Sequence, residues 1–158
     1  MKFERFEDVP VWKDGVSLSV EVFKLTEDKR FRYKGDIANQ LQRAALSVSN
    51  NIAEGFERGT TQELITFLYY ARGSAGEVRS ILAVMGQMND FDDLKSEISN
   101  LRSKAESISR QIRGWLNSLQ NTAITGQRYL NEKSKKIFNK EKDREGFIKE
   151  LKKISGRE

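Results

Sequence analysis

The chain has 158 residues, with 28 lysines and arginines against 23 aspartates and glutamates, and a net charge of +5. This length favours one domain, and a hydrophobic fraction of 37% with a single proline suits a helix-rich protein. The sequence contains no cysteine and no histidine, which excludes disulfides, thiol nucleophiles, Ser-His triads and zinc sites with nitrogen or sulfur ligands. We therefore expect a protein without enzymatic activity, cofactor or metal.

The sequence predicts no membrane-spanning helix, because no run of about 18 apolar residues is present. Near the N-terminus, Glu4, Glu7 and Asp8 occupy positions at which a signal peptide needs an apolar core. We expect a cytoplasmic protein without a membrane partner.

The excess positive charge lies near the C-terminus. Residues 1–125 contain 17 basic and 17 acidic side chains, whereas residues 126–158 contain 11 basic and 6 acidic ones. A neutral body argues against a broad basic face and for an appended segment that meets phosphate or an acidic partner. The alternative is a solvated tail that only keeps the protein soluble.

Apolar residues at helical spacing predict a first helix from Val9 to near Asp28 and a second from Asp36 to about Glu57. The first apolar stripe consists of Val9, Trp12, Val16, Val20 and Phe23, widened by Leu18, Val22 and Leu25. The second consists of Ile37, Leu41, Ala44, Val48, Ile52 and Phe56.

The start of the third helix has two signals. Gly59 can take the left-handed backbone that ends the second helix, and Thr60 or Thr61 can cap the next one. Glu63 follows Thr60 by three residues, as in a capping box. The predicted apolar stripe of this helix is Leu64, Leu68, Ala71, Ala75, Val78, Leu82 and Met85.

Three glycines, Gly73, Gly76 and Gly86, interrupt the third helix. Each costs about 1 kcal/mol relative to alanine in a helix interior. A helix that keeps them is expected to need close backbone approach at these positions.

A fourth helix is predicted after Asn89 or Asp90, which can cap it, with Asp92, Asp93 and Glu97 near its positive end. Its apolar stripe is Leu94, Ile98, Leu101, Ala105, Ile108, Ile112, Trp115 and Leu119. Four such helices with short connections predict an all-α fold, an antiparallel up-down-up-down four-helix bundle over residues 1–125. Residues 126–158 are expected to form a basic C-terminal tail, partly helical or mobile.

Small and polar side chains replace large apolar ones in the second helix at residues 44–55. Asn51 and Glu54 share a helix face there, and with Arg72 or Glu77 they can form a polar network. We expect a structural network that fixes helix register or subunit contacts, with a binding surface as the alternative.

Acid–base chemistry has one weak candidate. Glu54 with Glu63 or Glu77 is the only plausible carboxylate pair. The clustered acids Asp90, Asp92 and Asp93 are better explained as helix caps than as metal ligands.

The aromatic residues Phe67, Tyr69 and Tyr70 cover more than one face of the third helix. A helix that is apolar on two sides usually packs against a second partner, so homo-oligomerisation is the first explanation. Base stacking by the tyrosines and wider packing within the chain are the alternatives.

Basic residues of the tail, interleaved with Phe138 and Phe147, are candidates for a salt-sensitive, sequence-independent contact with RNA or DNA. The predicted nucleic-acid-binding residues are Lys133, Lys135, Lys136, Lys140, Lys142, Arg144, Lys149, Lys152 and Lys153.

Three segments carry a family resemblance: FEDVPVW at 6–12, SVSNNIAEG at 47–55 with Arg58, and ELITFLYYARGS at 63–74 with Glu77. In this order and spacing they resemble the four-helix bundle family of 23S rRNA-intervening sequence proteins, over residues 6 to about 120. The matching positions are Trp12, Asn51, Glu54, Gly55, Arg58, Glu63, Phe67, Leu68, Ala71, Gly73, Ser74 and Glu77.

The resemblance implies a bacterial bundle that assembles as a ring-like homopentamer and binds nucleic acid, RNA in the first place. A related bundle is the accessory protein of diversity-generating retroelements, which binds nucleic acid and a reverse transcriptase. The residues assigned to a polar network or oligomer interface are Asn51, Glu54, Arg58, Glu63, Phe67, Tyr70, Arg72, Ser74 and Glu77.

The predicted function is therefore that of a non-enzymatic homo-oligomeric bundle that binds nucleic acid as an accessory protein. A structural or protein-interaction scaffold without a nucleic-acid role is the alternative, and a protein partner is compatible with both.

Overall fold

The chain is helical in a computed structural model that describes residues 3–121, 143, 144 and 146–148. The four long helices are α1 (Pro10–Thr26), α2 (Gly35–Glu57), α3 (Thr61–Met85) and α4 (Lys95–Gln120). Short 3-10 helices precede α1 and form the α1–α2 and α3–α4 connections, at Phe6–Asp8, Lys29–Tyr33 and Asn89–Leu94. The predicted all-α class is confirmed, since this part of the chain contains no β-strand. None of its helices combines the length and apolar character needed to cross a membrane.

Each long helix packs against two others, so that contacts run from α1 to α2, α3 and α4 and back to α1. Side chains hydrogen bond or form ion pairs across all four boundaries, at Asp14 with Gln111, Glu21 with Lys104, Thr26 with Gln42, Ser47 with Ser74, Tyr69 with Gln120, and Arg79 with Glu106. The enclosed core is built from one face of every helix.

The chain divides into two units, residues 1–126 and 127–158, and the four helices belong to the first. In the second unit, the structure describes five residues, all helical and exposed. The boundary at residue 125 and the basic tail of residues 126–158 stay predictions.

The core residues of α3 match the prediction. All seven members of its apolar stripe are fully buried. Five of the six predicted apolar positions of α2 are also buried, and the sixth, Ile37, is partly buried. In both helices the predicted residues recur at steps of three and four along the whole length, and this spacing identifies the buried face.

The predicted apolar stripe of α1 is confirmed at Leu18, Val22 and Leu25 and wrong at Val20 and Phe23. Val11, Leu18, Val22 and Leu25 are buried, whereas Val20 is 48% exposed and Phe23 39% exposed. Both sets of residues have helical spacing, so periodicity alone does not decide which set points inward. The helix therefore keeps a second, surface-exposed apolar stripe.

The predicted cap of α4 is also wrong. The N-cap residue is Leu94, which makes no side-chain capping bond. The acidic side chains form ion pairs instead, with Lys34 Nζ 2.7 Å from Asp90 Oδ2 and Lys95 Nζ 2.6 Å from Asp92 Oδ1. Further along α4, Leu116 is buried, while Trp115 and Leu119 are only partly buried.

Arg30 joins the α1–α2 connection to the α3–α4 connection. Its guanidinium donates hydrogen bonds of 2.7 Å to each carboxylate oxygen of Asp28, and it also bonds the Asp93 carboxylate and, at 3.2 Å, the Asp90 carbonyl. These hydrogen bonds from Arg30 lower the pKa of Asp28 and of Asp93, so both stay ionised at neutral pH. The two connections are therefore held together at one end of the bundle.

Candidate functional site

Most of the predicted polar residues lie along the boundary between α2 and α3. A groove of about 770 Å³ opens there, and Asn51, Glu54 and Glu77 line it. Ser74 reaches the same boundary through a hydrogen bond to Ser47, a lining residue. The other residues that line this groove are Gln40, Arg43, Ala44, Leu46 and Asn50.

A short hydrogen-bonded chain crosses this boundary at the middle of both helices. Asn51 Nδ2 donates to the carbonyl of Ser47 at 2.7 Å and to its hydroxyl at 2.9 Å. The Ser47 and Ser74 hydroxyls hydrogen bond at 3.0 Å. These polar groups are satisfied within the chain, and they fix the register of α2 against α3.

At the C-terminal end of α2, Glu54 and Arg58 form an ion pair. Arg58 Nη2 lies 2.7 Å from Glu54 Oε1, and this hydrogen bond raises the pKa of Arg58. The guanidinium also lies 5.3 Å from the ring centroid of Phe67, whose ring makes an edge contact with Tyr70 at 5.7 Å. Four of the predicted residues thus form one charged and aromatic cluster.

The helices α2 and α3 approach closely at Gly55. A Cβ added there would lie 2.6 Å from the Cβ of Phe67 and 3.4 Å from the backbone of Leu64. No real Cβ is found that close to another carbon, so glycine is required at this position while the helices keep their separation.

Glu63 stabilises the start of α3. Its backbone N–H donates to the Thr60 hydroxyl at 3.2 Å, and that hydroxyl donates to the Glu63 carboxylate at 2.7 Å. The predicted capping residues are confirmed, and Gly59 before them has φ of +79°. Glu54 and Glu63 are therefore each bonded to a neighbour on their own segment.

Arg72 and Tyr69 lie apart from this cluster, on the side of α3 that contacts α4. The Tyr69 hydroxyl accepts a 2.9 Å hydrogen bond from Gln120 Nε2. Arg72 precedes Arg79 by two helical turns, and Arg79 lies beside Glu106 of α4. The aromatic residues are accordingly divided between two sides of α3.

An apolar groove of about 420 Å³ separates α1 from α2, and the sequence analysis missed it. Three of its side chains, Val20, Phe23 and Leu46, are 39–48% exposed. Phe6 and Trp12 close one end with an edge contact at 5.1 Å. The available signal was that α1 has more apolar residues than one core-facing stripe needs.

The predicted nucleic-acid-binding residues of the tail fall largely outside the described residues. Arg144 is described, and it is helical and exposed. Nearby, Phe147 is 62% exposed and Ile148 43% exposed. The residues that lie outside are Lys133, Lys135, Lys136, Lys140, Lys142, Lys149, Lys152 and Lys153.

Within the described ranges, no group of three or more acidic side chains is placed to hold a metal ion. A family model for the 23S rRNA-intervening sequence protein matches residues 7–114. The chain belongs to this family. The matched span of this 23S rRNA-intervening sequence protein includes α1, α2 and α3 and most of α4, together with the three segments that carried the resemblance except for Phe6. A search of curated proteins gave no match.

Proposed function

We propose that this 23S rRNA-intervening sequence protein is a non-enzymatic, self-associating bundle that binds nucleic acid, RNA in the first place, as an accessory protein. The observation that carries the proposal is the family match over residues 7–114, since the family's name refers to a ribosomal RNA sequence. Residues 126–158 contain 11 basic and 6 acidic side chains, and this excess of positive charge supports the proposal. The cytoplasmic location stays a prediction.

The same proposal includes an antiparallel up-down-up-down order of the helices. Residue numbers rise along α1 from Asp14 to Glu21 while those of their partners fall along α4 from Gln111 to Lys104. Along α3 the numbers rise from Tyr69 to Arg79, while those of their α4 partners fall from Gln120 to Glu106. Opposite numbering across a boundary is what two antiparallel neighbours produce.

Self-association is proposed to use the apolar groove between α1 and α2. Val20, Phe23 and Leu46 expose apolar side chains next to each other on this surface. Contiguous exposed apolar surface of this kind typically marks a protein interface. The homopentamer implied by the family resemblance is the assembly we propose.

A charge placed in this groove should dissociate the assembly. Burial of a Phe or Leu side chain contributes about 1.5–3 kcal/mol, so Phe23→Asp with Leu46→Asp should weaken self-association at least about 100-fold. Light scattering on the double variant should then give the mass of one chain.

Val84→Asp is the matched control, because Val84 is 56% exposed but lies on α3, outside the groove. It should leave the assembly mass unchanged. A double variant with the wild-type mass, or a control that dissociates equally, contradicts this interface.

Nucleic-acid binding is tested with a fluorescent single-stranded RNA and a DNA of the same sequence, titrated with the full chain between 50 and 300 mM salt. We expect affinity that falls steeply with salt, and a shallower dependence for residues 1–125, because phosphate contacts release counterions. Failure of the wild-type chain to bind at 50 mM salt would favour the protein-interaction scaffold instead.

A further inference from the structure

The boundary between α3 and α4 forms a groove with an unusual concentration of arginine. The groove has a volume of about 380 Å³ and is lined by Gly76, Arg79, Ser80, Ala83 and Arg102. Arg72 lies two turns before Arg79 on α3, and Arg113 lies three turns after Arg102 on α4, so each pair shares a helix face. Arg79 and Arg102 therefore line the groove itself, and Arg72 and Arg113 extend the same two helix faces beyond it.

These arginines have little compensating negative charge. Glu106 is the acidic residue on this face of α4, and its Oε2 lies 3.9 Å from Arg79 Nη2, too far for a hydrogen bond. Within the described part of the chain, Arg72, Arg102 and Arg113 form no ion pair or side-chain hydrogen bond. Elsewhere in the bundle, Arg30 and Arg58 are each held by a carboxylate at 2.7 Å. The groove thus presents guanidinium groups with unused donors.

One glycine of α3, Gly76, lines this groove, and Gly73 lies about one turn before it. Gly73 and Gly76 are exposed, and a Cβ at either position would meet no atom of a neighbouring described element within 4 Å. The close helix approach predicted at these glycines is therefore wrong for packing within the chain. Glycine in a helix interior is unfavourable, and here its effect is to leave the helix backbone open to a group from outside.

The chemistry of the groove fits a chain of phosphates. Arginine donors bind phosphate oxygens in a bidentate manner, and small residues let a backbone come close. Eleven residues from Arg102 to Arg113 span about 16 Å of helix. In a duplex, each strand rises about 3.4 Å per nucleotide along the helix axis, so about five phosphates of one strand fall within that axial distance.

We propose that the α3–α4 groove binds the phosphodiester backbone of a nucleic acid, with Arg72, Arg79, Arg102 and Arg113 contacting the phosphates. This inference rests on the proposed nucleic-acid function and places a contact on the bundle itself, separate from the tail. The arginine N–H groups would bind phosphate oxygens and not bases, so both RNA and DNA could supply the backbone that binds here.

The test is the salt-dependent titration of the full chain with single-stranded RNA and with DNA of the same sequence. The variant carries Arg72→Gln, Arg102→Gln and Arg113→Gln, which leave the Arg79–Glu106 contact in place. Loss of three phosphate contacts should lower the slope of log K against log salt by about 2 and weaken binding about 100-fold at 100 mM salt. Equal losses for RNA and DNA assign the site to phosphate alone, whereas a larger loss for RNA adds a contact to the ribose 2′-hydroxyl.

The matched control carries Lys13→Gln, Lys29→Gln and Arg32→Gln, which remove the same charge from exposed positions outside the groove. It should leave the slope nearly unchanged. Equal behaviour of the two triple variants overturns the groove site while the wild-type binding still supports the proposed function. A wild-type chain that does not bind at 50 mM salt overturns both.

A variant of opposite sign guards against loss of folding. Glu106→Gln removes the groove's opposing charge and should strengthen binding to both nucleic acids. Weaker or unchanged binding by this variant contradicts the site, and circular dichroism melting confirms that each variant is folded.

Discussion

The α2–α3 boundary and the α3–α4 boundary differ in whether their polar groups and glycines make contacts within the chain. Toward α2, Ser74 bonds Ser47, Arg58 bonds Glu54, and Gly55 admits Phe67 at a distance no side chain would permit. Toward α4, the arginines are largely unpaired and Gly76 faces open space.

The difference separates a structural surface from a surface available to a ligand. A glycine or polar group that already has its contact inside the fold is explained by stability. A helix-interior glycine without such a contact lowers the stability of the fold, and no contact within the chain offsets this loss. The role of an unusual residue therefore follows from its contacts. The α2–α3 boundary is explained by structure, whereas the α3–α4 boundary is not.

The largest effect on the α2 side is expected from Gly55→Ala. The added methyl group would overlap the Cβ of Phe67, so α2 and α3 must separate. We expect the free energy of unfolding to fall by about 1–3 kcal/mol, as for other overpacked sites. Urea denaturation of the variant measures the change.

Gly73→Ala is the control for this substitution, because it adds the same methyl group to a helix interior where space is open. If the two variants lose stability equally, close packing at Gly55 is not what requires a glycine there.

A smaller effect of opposite sign is expected from Gly76→Ala. Alanine has the higher helix propensity and meets no clash, so the free energy of unfolding should rise by about 0.5–1 kcal/mol. The same methyl group would stand on the floor of the arginine groove, so RNA binding should weaken. A variant that is more stable and binds RNA as well as the wild type would show that the groove does not need a glycine.

The sequence predicted the parts of the fold that depend on one-dimensional pattern. The stripes of α2 and α3 and the capping box at Thr60 and Glu63 are confirmed, because each depends on residues within one helix. The placement of Val20 and Phe23 in the core and the cap of α4 were wrong, because both depend on a second element. Val20 and Phe23 have the right spacing for a core, but Val22 and Leu25 occupy it, and Asp93 bonds Arg30 rather than its own helix.

The arginine groove was hidden from the sequence for a related reason. Residues 1–125 carry equal numbers of basic and acidic side chains, and this balance argued against a basic face. Balance over the sequence does not imply balance over the surface, because folding pairs acids such as Glu21 and Asp90 with lysines elsewhere. Arg79 and Arg102 are 23 residues apart in sequence, and only the packing of α3 against α4 puts them in one groove.

The cyclic order of helix contacts places the α1–α2 groove and the α3–α4 groove on opposite sides of the bundle. Copies joined through the first groove would each keep the second one turned outward. Several weak phosphate contacts would then act on a single strand as a multivalent site, in which the first contact raises the effective concentration for the next. Avidity of this kind would make binding depend on strand length, so that a long RNA would be held firmly and a fragment that spans one copy would be released.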